Sequence, residues 1–171
     1  MTDHEFTYRP ATDADAPRIA DIYNAAVTAG GASADLTPRT LEQRIDWMRE
    51  QDAVYVVEAH EPDAEHGTVV AFGAFGPFHE REGYRGVDDI AYYVDPAWRG
   101  RGIGAFTLKT LVDEAHRHDL RTLVAVIFAT NKGSLALVKK FGFTEFGVLP
   151  LAARDSTGEL KDMSYWYLNL R

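Results

Sequence analysis

Hydrophobic positions along the chain recur with two periods, and Pro, Gly or Asp stands wherever one period gives way to the other. Phe6 to Arg9 alternates weakly and stops at Pro10, as a first strand would, and Thr12 or Asp13 is placed to cap a following helix. Ile19, Ile22, Tyr23 and Ala26 then fall at i, i+3, i+4 and i+7, one apolar stripe that Gly30-Gly31 ends. A second, shorter helix is expected from Thr40 to Glu50. Val54 to Glu58 and Thr68 to Phe75 read as two strands joined by a polar loop holding Glu61, Pro62, Asp63 and Gly67, with Gly73 and Gly76 as sites for bends or bulges.

The middle of the chain repeats the alternation in a more telling order. Asp89 to Val94 is strand-like, Asp95-Pro96 stops it, and a Gly/Arg-rich turn opens a helix striped by Leu108, Leu111, Val112 and Ala115. Leu123 to Phe128 follows as an unbroken apolar run, the pattern of a parallel strand covered on both faces. Strand, helix and strand make a βαβ unit. A short helix from Lys132 to Lys140 ends near Gly142, and Thr144 to Leu149 and Met163 to Leu170 read as two more strands. The expected class is α/β (α+β), a mixed sheet of about six to seven strands with about four helices. No repeat, low-complexity tract or linker divides the sequence, so residues 1–171 are expected to form a single domain.

Composition narrows the function more than the fold. The 171 residues, 46% of them apolar, suffice for a full core, yet no run of about 18 apolar residues is present that would cross a bilayer. Lys and Arg number 18 against 26 Asp and Glu, a formal charge of −8 that repels phosphate backbones, so nucleic acid is not an expected partner. The absence of cysteine excludes disulfides, thiolate zinc sites and a cysteine nucleophile. The opening MTDHEFTYRP has no basic stretch followed by an apolar one, which makes a cytoplasmic address the default. His116 and His118, two apart on a helix, cannot share a face, so no metal is expected, and no Ser/His/Asp triad can be placed.

The candidate chemistry lies in Arg99-Gly100-Arg101-Gly102-Ile103-Gly104, between a strand and an amphipathic helix. Free amides and the positive end of the helix dipole converge at such a point, which suits an anion; two arginines add charge, and a diphosphate is the natural guess. The same glycines would also serve a tight turn without a ligand. A dinucleotide fingerprint survives only in its alanine variant, from Gly100 to Ala105, and the remaining elements do not suit a six-strand Rossmann order. Lys132-Gly133-Ser134 has the wrong order for a Walker loop.

The stretch from Val94 to Gly104 resembles the acetyl-CoA motif of the GCN5-related N-acetyltransferase (GNAT) superfamily, whose core [Q/R]-x-x-G-x-[G/A] is filled by Arg99, Gly102 and Gly104. Asn131 and Ser134 at a helix head, followed by Phe141-Gly142-Phe143, resemble the second CoA-binding segment. Phe78-His79-Glu80-Arg81-Glu82-Gly83-Tyr84, with Arg9-Pro10-Ala11-Thr12, Asp15 and Ile22-Tyr23-Asn24, is similar to the phosphinothricin acetyltransferase-like branch. The resemblance implies a GNAT fold whose central βαβ unit carries the acetyl-CoA site, and an N-acetyltransferase acting on a small amino-acid-like amine. It implies that Tyr93 and Val94 meet the pantetheine arm, and that Arg99, Gly100, Arg101, Gly102, Ile103, Gly104 and Ala105, with Asn131 and Ser134, hold the cofactor. The family often dimerises, so a homodimer is the implied assembly. Acetylation of a protein N-terminus or lysine, and a CoA-binding module with little catalysis, are the alternative functions.

Acetyl transfer needs a neutral amine, a polarised carbonyl and a stabilised thiolate. Asp89 aligns with the acidic position implied for the base, where a glutamate is usual; Asp88 beside it must face the other way on a strand. A backbone N–H near Val94 is placed to polarise the carbonyl, and Arg81 with Tyr84 to receive the acceptor's carboxylate. Val138 stands where the family commonly has a tyrosine or histidine acid, and Tyr92 or Tyr93 is the candidate substitute. Ala34 replaces an aromatic that packs on substrate in phosphinothricin acetylators.

Overall fold

The computed structural model describes residues 6–171; the first five residues of the N-terminal reading lie outside it. Seven strands form one mixed sheet in the order β1-β2-β3-β4-β5-β7-β6. They are β1 (Phe6–Pro10), β2 (Ala53–Ala59), β3 (Thr68–Pro77), β4 (Val87–Val94), β5 (Thr122–Phe128), β6 (Thr144–Arg154) and β7 (Leu160–Asn169). The helices are α1 (Ala16–Ala29), α2 (Leu41–Glu50), α3 (Ile103–Arg117) and α4 (Lys132–Lys140). Each expected element is present, and the sheet order excludes the Rossmann alternative.

Helix ends follow local chemistry. Thr12 precedes a short 3-10 turn rather than α1 itself; its amide donates to the Asp15 carboxylate (2.8 Å), and α1 starts at Ala16 with Pro17 in its first turn. Thr40 caps α2 by accepting from Gln43 N (3.2 Å), while the Gln43 side chain accepts from Thr40 N (2.9 Å). Gly30, at φ 77°, ends α1 where a Cβ would be strained.

The two helix pairs cover opposite faces of the sheet. Ile19, Ile22, Tyr23 and Val27 of α1 pack on Val56 and Phe72, while Leu108 and Leu111 of α3 and Val138 of α4 pack on Phe75, Leu123 and Ala125. Burying side chains of this size contributes roughly 1.5–3 kcal/mol each, so these stripes hold the helices to the sheet. Two glycine expectations need correction. The irregular pairing lies at Val57/Glu58, and not at Gly73 or Gly76. Gly73 instead gives clearance to Leu111, whose side chain a Cβ would meet at 3.0 Å, and Gly76 does the same for Gln51.

β5 also departs from the expected doubly covered parallel strand. It is parallel to β4 at only three pairs, Val87 with Thr122, Asp88 with Leu123 and Asp89 with Val124, and runs antiparallel along β7 for its whole length. Val126 stays 38% exposed. Beyond Asp89 the two central strands part, and that opening positions the site.

Candidate active site

Alternation along β4 decides what faces the opening. Phe78 N donates to Val87 O (3.1 Å) and Asp95 N to Val70 O (2.8 Å), so odd positions turn their backbone groups toward β3. The backbone groups of Tyr92 and Val94, beyond the last β4–β5 pair, therefore point into the gap unclaimed by the sheet. Side chains alternate the other way round: Ile90 and Tyr92 join the α3/α4 face and Tyr93 the α1/α2 face. A slot of about 80 Å³ occupies the gap, with Ala32, Tyr92, Ala125, Asn131 and Ser134 among its lining.

The slot adjoins a groove of about 580 Å³ at the mouth of α3. Gly100 and Gly102 have φ of 78° and 79°, and the first intrahelical bond of α3 runs from Phe106 N to Gly102 O (3.0 Å). The amides of Ile103, Gly104 and Ala105 thus lack a helical acceptor, the arrangement of an anion cradle. Asn131 caps α4, its side chain accepting from Ser134 N (3.2 Å), so a second helix N-terminus opens on the same groove.

The structure brings most of the expected cofactor residues together. Val94, Arg99, Gly100, Gly102, Ile103 and Gly104 line one wall, and Asn131 and Ser134 the other. Tyr93, Arg101 and Ala105 do not line the groove. Tyr93 lines the slot instead, with its ring edge-on to Tyr23 (5.1 Å) and stacked on Phe72 (5.5 Å). The Arg101 guanidinium lies over the Trp98 ring (4.5 Å) and lines a separate cavity beside His60, leaving only its amide for the cradle. Ala105 contributes only a free amide of the first turn of α3.

Asp88 and Asp89 separate as strand geometry demands. Asp88 is 2% exposed on the α3 face, and its Oδ2 has no hydrogen-bond partner among the described residues. Burial, and then the nearby Asp52 carboxyl, push its pKa up to about 7. Asp89 stays open to solvent on the opposite face, yet the protein packed around its carboxyl pushes its pKa up to about 6. That value suits a general base working near neutrality. Arg81 and Tyr84 are exposed on the loop after β3, where the Tyr84 ring stacks on His79 (4.5 Å); neither lines the groove or the slot.

Sequence reasoning missed the residues that hold the loop after α1. Gly30, Gly31 and Ala32 of that loop form one end of the groove. The Gly31 amide donates to Asp155 Oδ2 (2.7 Å), and Asp155 is fully buried in an ion pair with Lys161 (2.5 Å). Lys161, and then Thr157, hold the Asp155 carboxyl well below the usual carboxylate range. Further along, Tyr23 OH shares a hydrogen bond with Ser33 Oγ (2.8 Å) and donates to Asp35, while the buried Arg44 guanidinium lies 3.9 Å from the Tyr23 ring centre. Contacts across 124 residues, as from Gly31 to Asp155, leave no local signal.

The model of the Acetyltransferase (GNAT) family matches residues 17–143. The chain belongs to that family. As a GNAT acetyltransferase it has relatives along nearly its whole length. It is 31% identical over 164 residues to the L-methionine sulfoximine/L-methionine sulfone acetyltransferase of Pseudomonas aeruginosa, covering 95% of this chain and 93% of that one. Among solved structures it matches the ribosomal-protein-alanine N-acetyltransferase from Brucella melitensis at TM-score 0.86 and 33% identity, covering 95% of this chain and 99% of the other. A phosphinothricin acetyltransferase from Sinorhizobium meliloti, solved with acetyl-CoA, matches at TM-score 0.86 and 26% identity over 96% and 88% of the two chains. The acetyltransferase therefore has the GNAT fold expected from its motif, and among its described residues no helix is long and apolar enough to cross a membrane.

Proposed function

We propose that residues 1–171 act as one domain that transfers the acetyl group of acetyl-CoA to the primary amine of a small amino-acid-like acceptor, of the phosphinothricin or methionine sulfoximine type. The observation that carries this reading is the junction of an amide cradle, a slot between parted strands, and a carboxyl of raised pKa at the point of parting. In this reading the amides at the head of α3 hold the diphosphate, and the backbone groups of Tyr92 and Val94 guide the pantetheine arm. Val94 N–H polarises the thioester carbonyl, since it points into the gap with no sheet partner. Asp89 takes the amine's proton, directly or through one water. Arg81 and Tyr84 receive the acceptor's carboxylate from the exposed loop that leads into β4.

The relatives support a small acceptor: the Pseudomonas aeruginosa protein is named for methionine sulfoximine and methionine sulfone, and one in Escherichia coli, 31% identical, for L-amino acids. The Brucella melitensis neighbour, named for a ribosomal-protein alanine, favours a second reading in which a protein N-terminus is the acceptor. The reading extends to a cytoplasmic homodimer. Phe146, Val148, Leu149 and Leu151 of β6 are each about half exposed or more, an apolar strip that a second copy would cover.

The test is acetyl-CoA-dependent thiol release across methionine sulfoximine, amino acids, polyamines and short peptides beginning with alanine. Highest kcat/KM on a free amino-acid-like amine is expected. Turnover confined to peptides would transfer the conclusion to the second reading, and tight CoA binding with no thiol release from any amine would leave a binding module.

A further inference from the structure

The departing sulfur needs a partner, and the position from which the family usually supplies one cannot give it. Val138 is fully buried among the α3/α4 core side chains and has no proton to donate. Tyr92 belongs to the same cluster on the same face of the sheet but rises from β4, at the edge of the gap. Its hydroxyl is buried and makes no hydrogen bond of ordinary geometry among the described residues, although the Ser134 hydroxyl lies near enough to act on it, and the residue lines both the groove and the slot. A phenylalanine would fill the same core without leaving a polar group unpaired, so an orphaned hydroxyl here marks a contact made by a ligand.

The other polar groups of the slot are occupied or differently placed. Its lining has no charged side chain. The Asn131 side chain is engaged by the amide of Ser134, and the Tyr93 ring lies on the opposite face against Tyr23 and Phe72. Ser134, at the head of α4, is the remaining competitor.

We propose that the Tyr92 hydroxyl is a catalytic group, donating a hydrogen bond to the thioester sulfur as the carbon–sulfur bond breaks and so replacing the acid that Val138 cannot be. This rests on the acetyl-CoA reading of the groove. The amine lone pair forms the new C–N bond while the carbonyl pair moves onto oxygen. That pair returns as the C–S bond breaks, and the bonding electrons leave with sulfur. The amine's surplus proton goes to Asp89. Burial holds the Tyr92 pKa above its ordinary value, so its proton stays on the phenol oxygen and is shared with sulfur rather than lost. Coenzyme A leaves as a thiolate and takes a proton from solvent, its thiol pKa being roughly 8.5.

The test compares wild type with Tyr92→Phe, which keeps the ring and removes the hydroxyl. Three quantities are measured: kcat, the Kd for acetyl-CoA, and the titration of bound CoA's thiol by thiolate ultraviolet absorbance. The expected result is a kcat about 100-fold lower, a Kd within about twofold of wild type, and a bound thiol that titrates at lower pH in wild type than in the variant. A packing role would not move that titration. Unchanged kcat, a Kd lost together with the rate, or the loss appearing in Ser134→Ala instead would overturn the proposal. Should Tyr92→Phe not fold, the wild-type titration alone decides: a bound thiol titrating like free CoA refutes the contact. Failure of the functional reading looks different, because wild type itself would then show neither CoA binding nor thiol release, and the proposal would fall with it.

Discussion

The cofactor half of the site and the acceptor half are built by different means. At the head of α3 the working groups are backbone amides, exposed because Gly100 and Gly102 take left-handed conformations and the helix begins at Ile103. The acceptor groups proposed across the sheet are side chains from separate segments, Asp89 from β4 and Arg81 and Tyr84 from the loop before it, and the loop after α1, held by Asp155 just past β6, reaches the groove between the two halves. A backbone-borne site tolerates change in the side chains around it, as the displaced Arg101 guanidinium illustrates. A site borne by side chains can change its ligand through single substitutions. On the proposed reading, single substitutions should therefore alter acceptor choice more readily than donor binding.

Substituting Asp89 tests that division most severely. Loss of a general base typically costs about 10²–10⁴ in rate, so Asp89→Asn is expected to lower kcat/KM at least about 100-fold while leaving the Kd for acetyl-CoA unchanged. The pH profile carries a second signature. The protein packed around the Asp89 carboxyl raises its pKa to about 6, and a base acts only when ionised, so wild-type kcat/KM is expected to climb as pH rises through about 6. The variant loses that limb and keeps only the rise due to the amine's own deprotonation. Full activity in Asp89→Asn, with the limb intact, would place the base elsewhere.

The complementary substitution is on the cofactor side. Gly102 has φ 79°, where a β-branched residue is strained by roughly 1–2 kcal/mol. Relief of that strain turns the amides of Ile103 and Gly104 away from their common focus. Gly102→Val is expected to weaken acetyl-CoA binding about 10- to 100-fold by calorimetry while the acceptor KM at saturating acetyl-CoA stays within about twofold. A large change in acceptor KM would show that the halves are not separable.

The same division explains what the sequence disclosed. The cradle was legible because its parts are consecutive: Arg99 to Gly104 spell a turn and a helix start in one stretch, with Asn131 and Ser134 marking the second helix head. The order of elements was legible because stripes such as Leu108, Leu111, Val112 and Ala115 have a period only a helix satisfies. The parting of β4 from β5 was not, since strand pairing leaves no mark within either strand; the apolar run from Leu123 to Phe128 suggested a doubly covered strand, although Val126 is open. That Asp88 and Asp89 face opposite ways follows from strand alternation, but the preference for Asp89 rested on the family resemblance. Placing Arg101 required knowing that Trp98 would lie beneath it.

The smallest expected effect falls where the halves meet, at the loop that Asp155 ties down. Gly31 donates its amide to a carboxylate whose charge Lys161 balances, so removing Asp155 alone would leave a largely buried cation and confound positioning with stability. Both charges must therefore go together. Asp155→Asn/Lys161→Met keeps a carbonyl oxygen for the Gly31 amide, whereas Asp155→Ala/Lys161→Met removes it. A hydrogen bond to a charged group contributes about 1.5–3 kcal/mol, and a neutral amide oxygen preserves a good part of that. If the bond positions Gly30 to Ala32, the first pair should hold the acceptor KM within about twofold of wild type. The second should raise it about tenfold, with both retaining wild-type kcat at saturation. Equal KM values in the two would mean that the hairpin merely packs against the loop. The position of the loop would then rest on the hydrogen bonds among Tyr23, Ser33 and Asp35 instead.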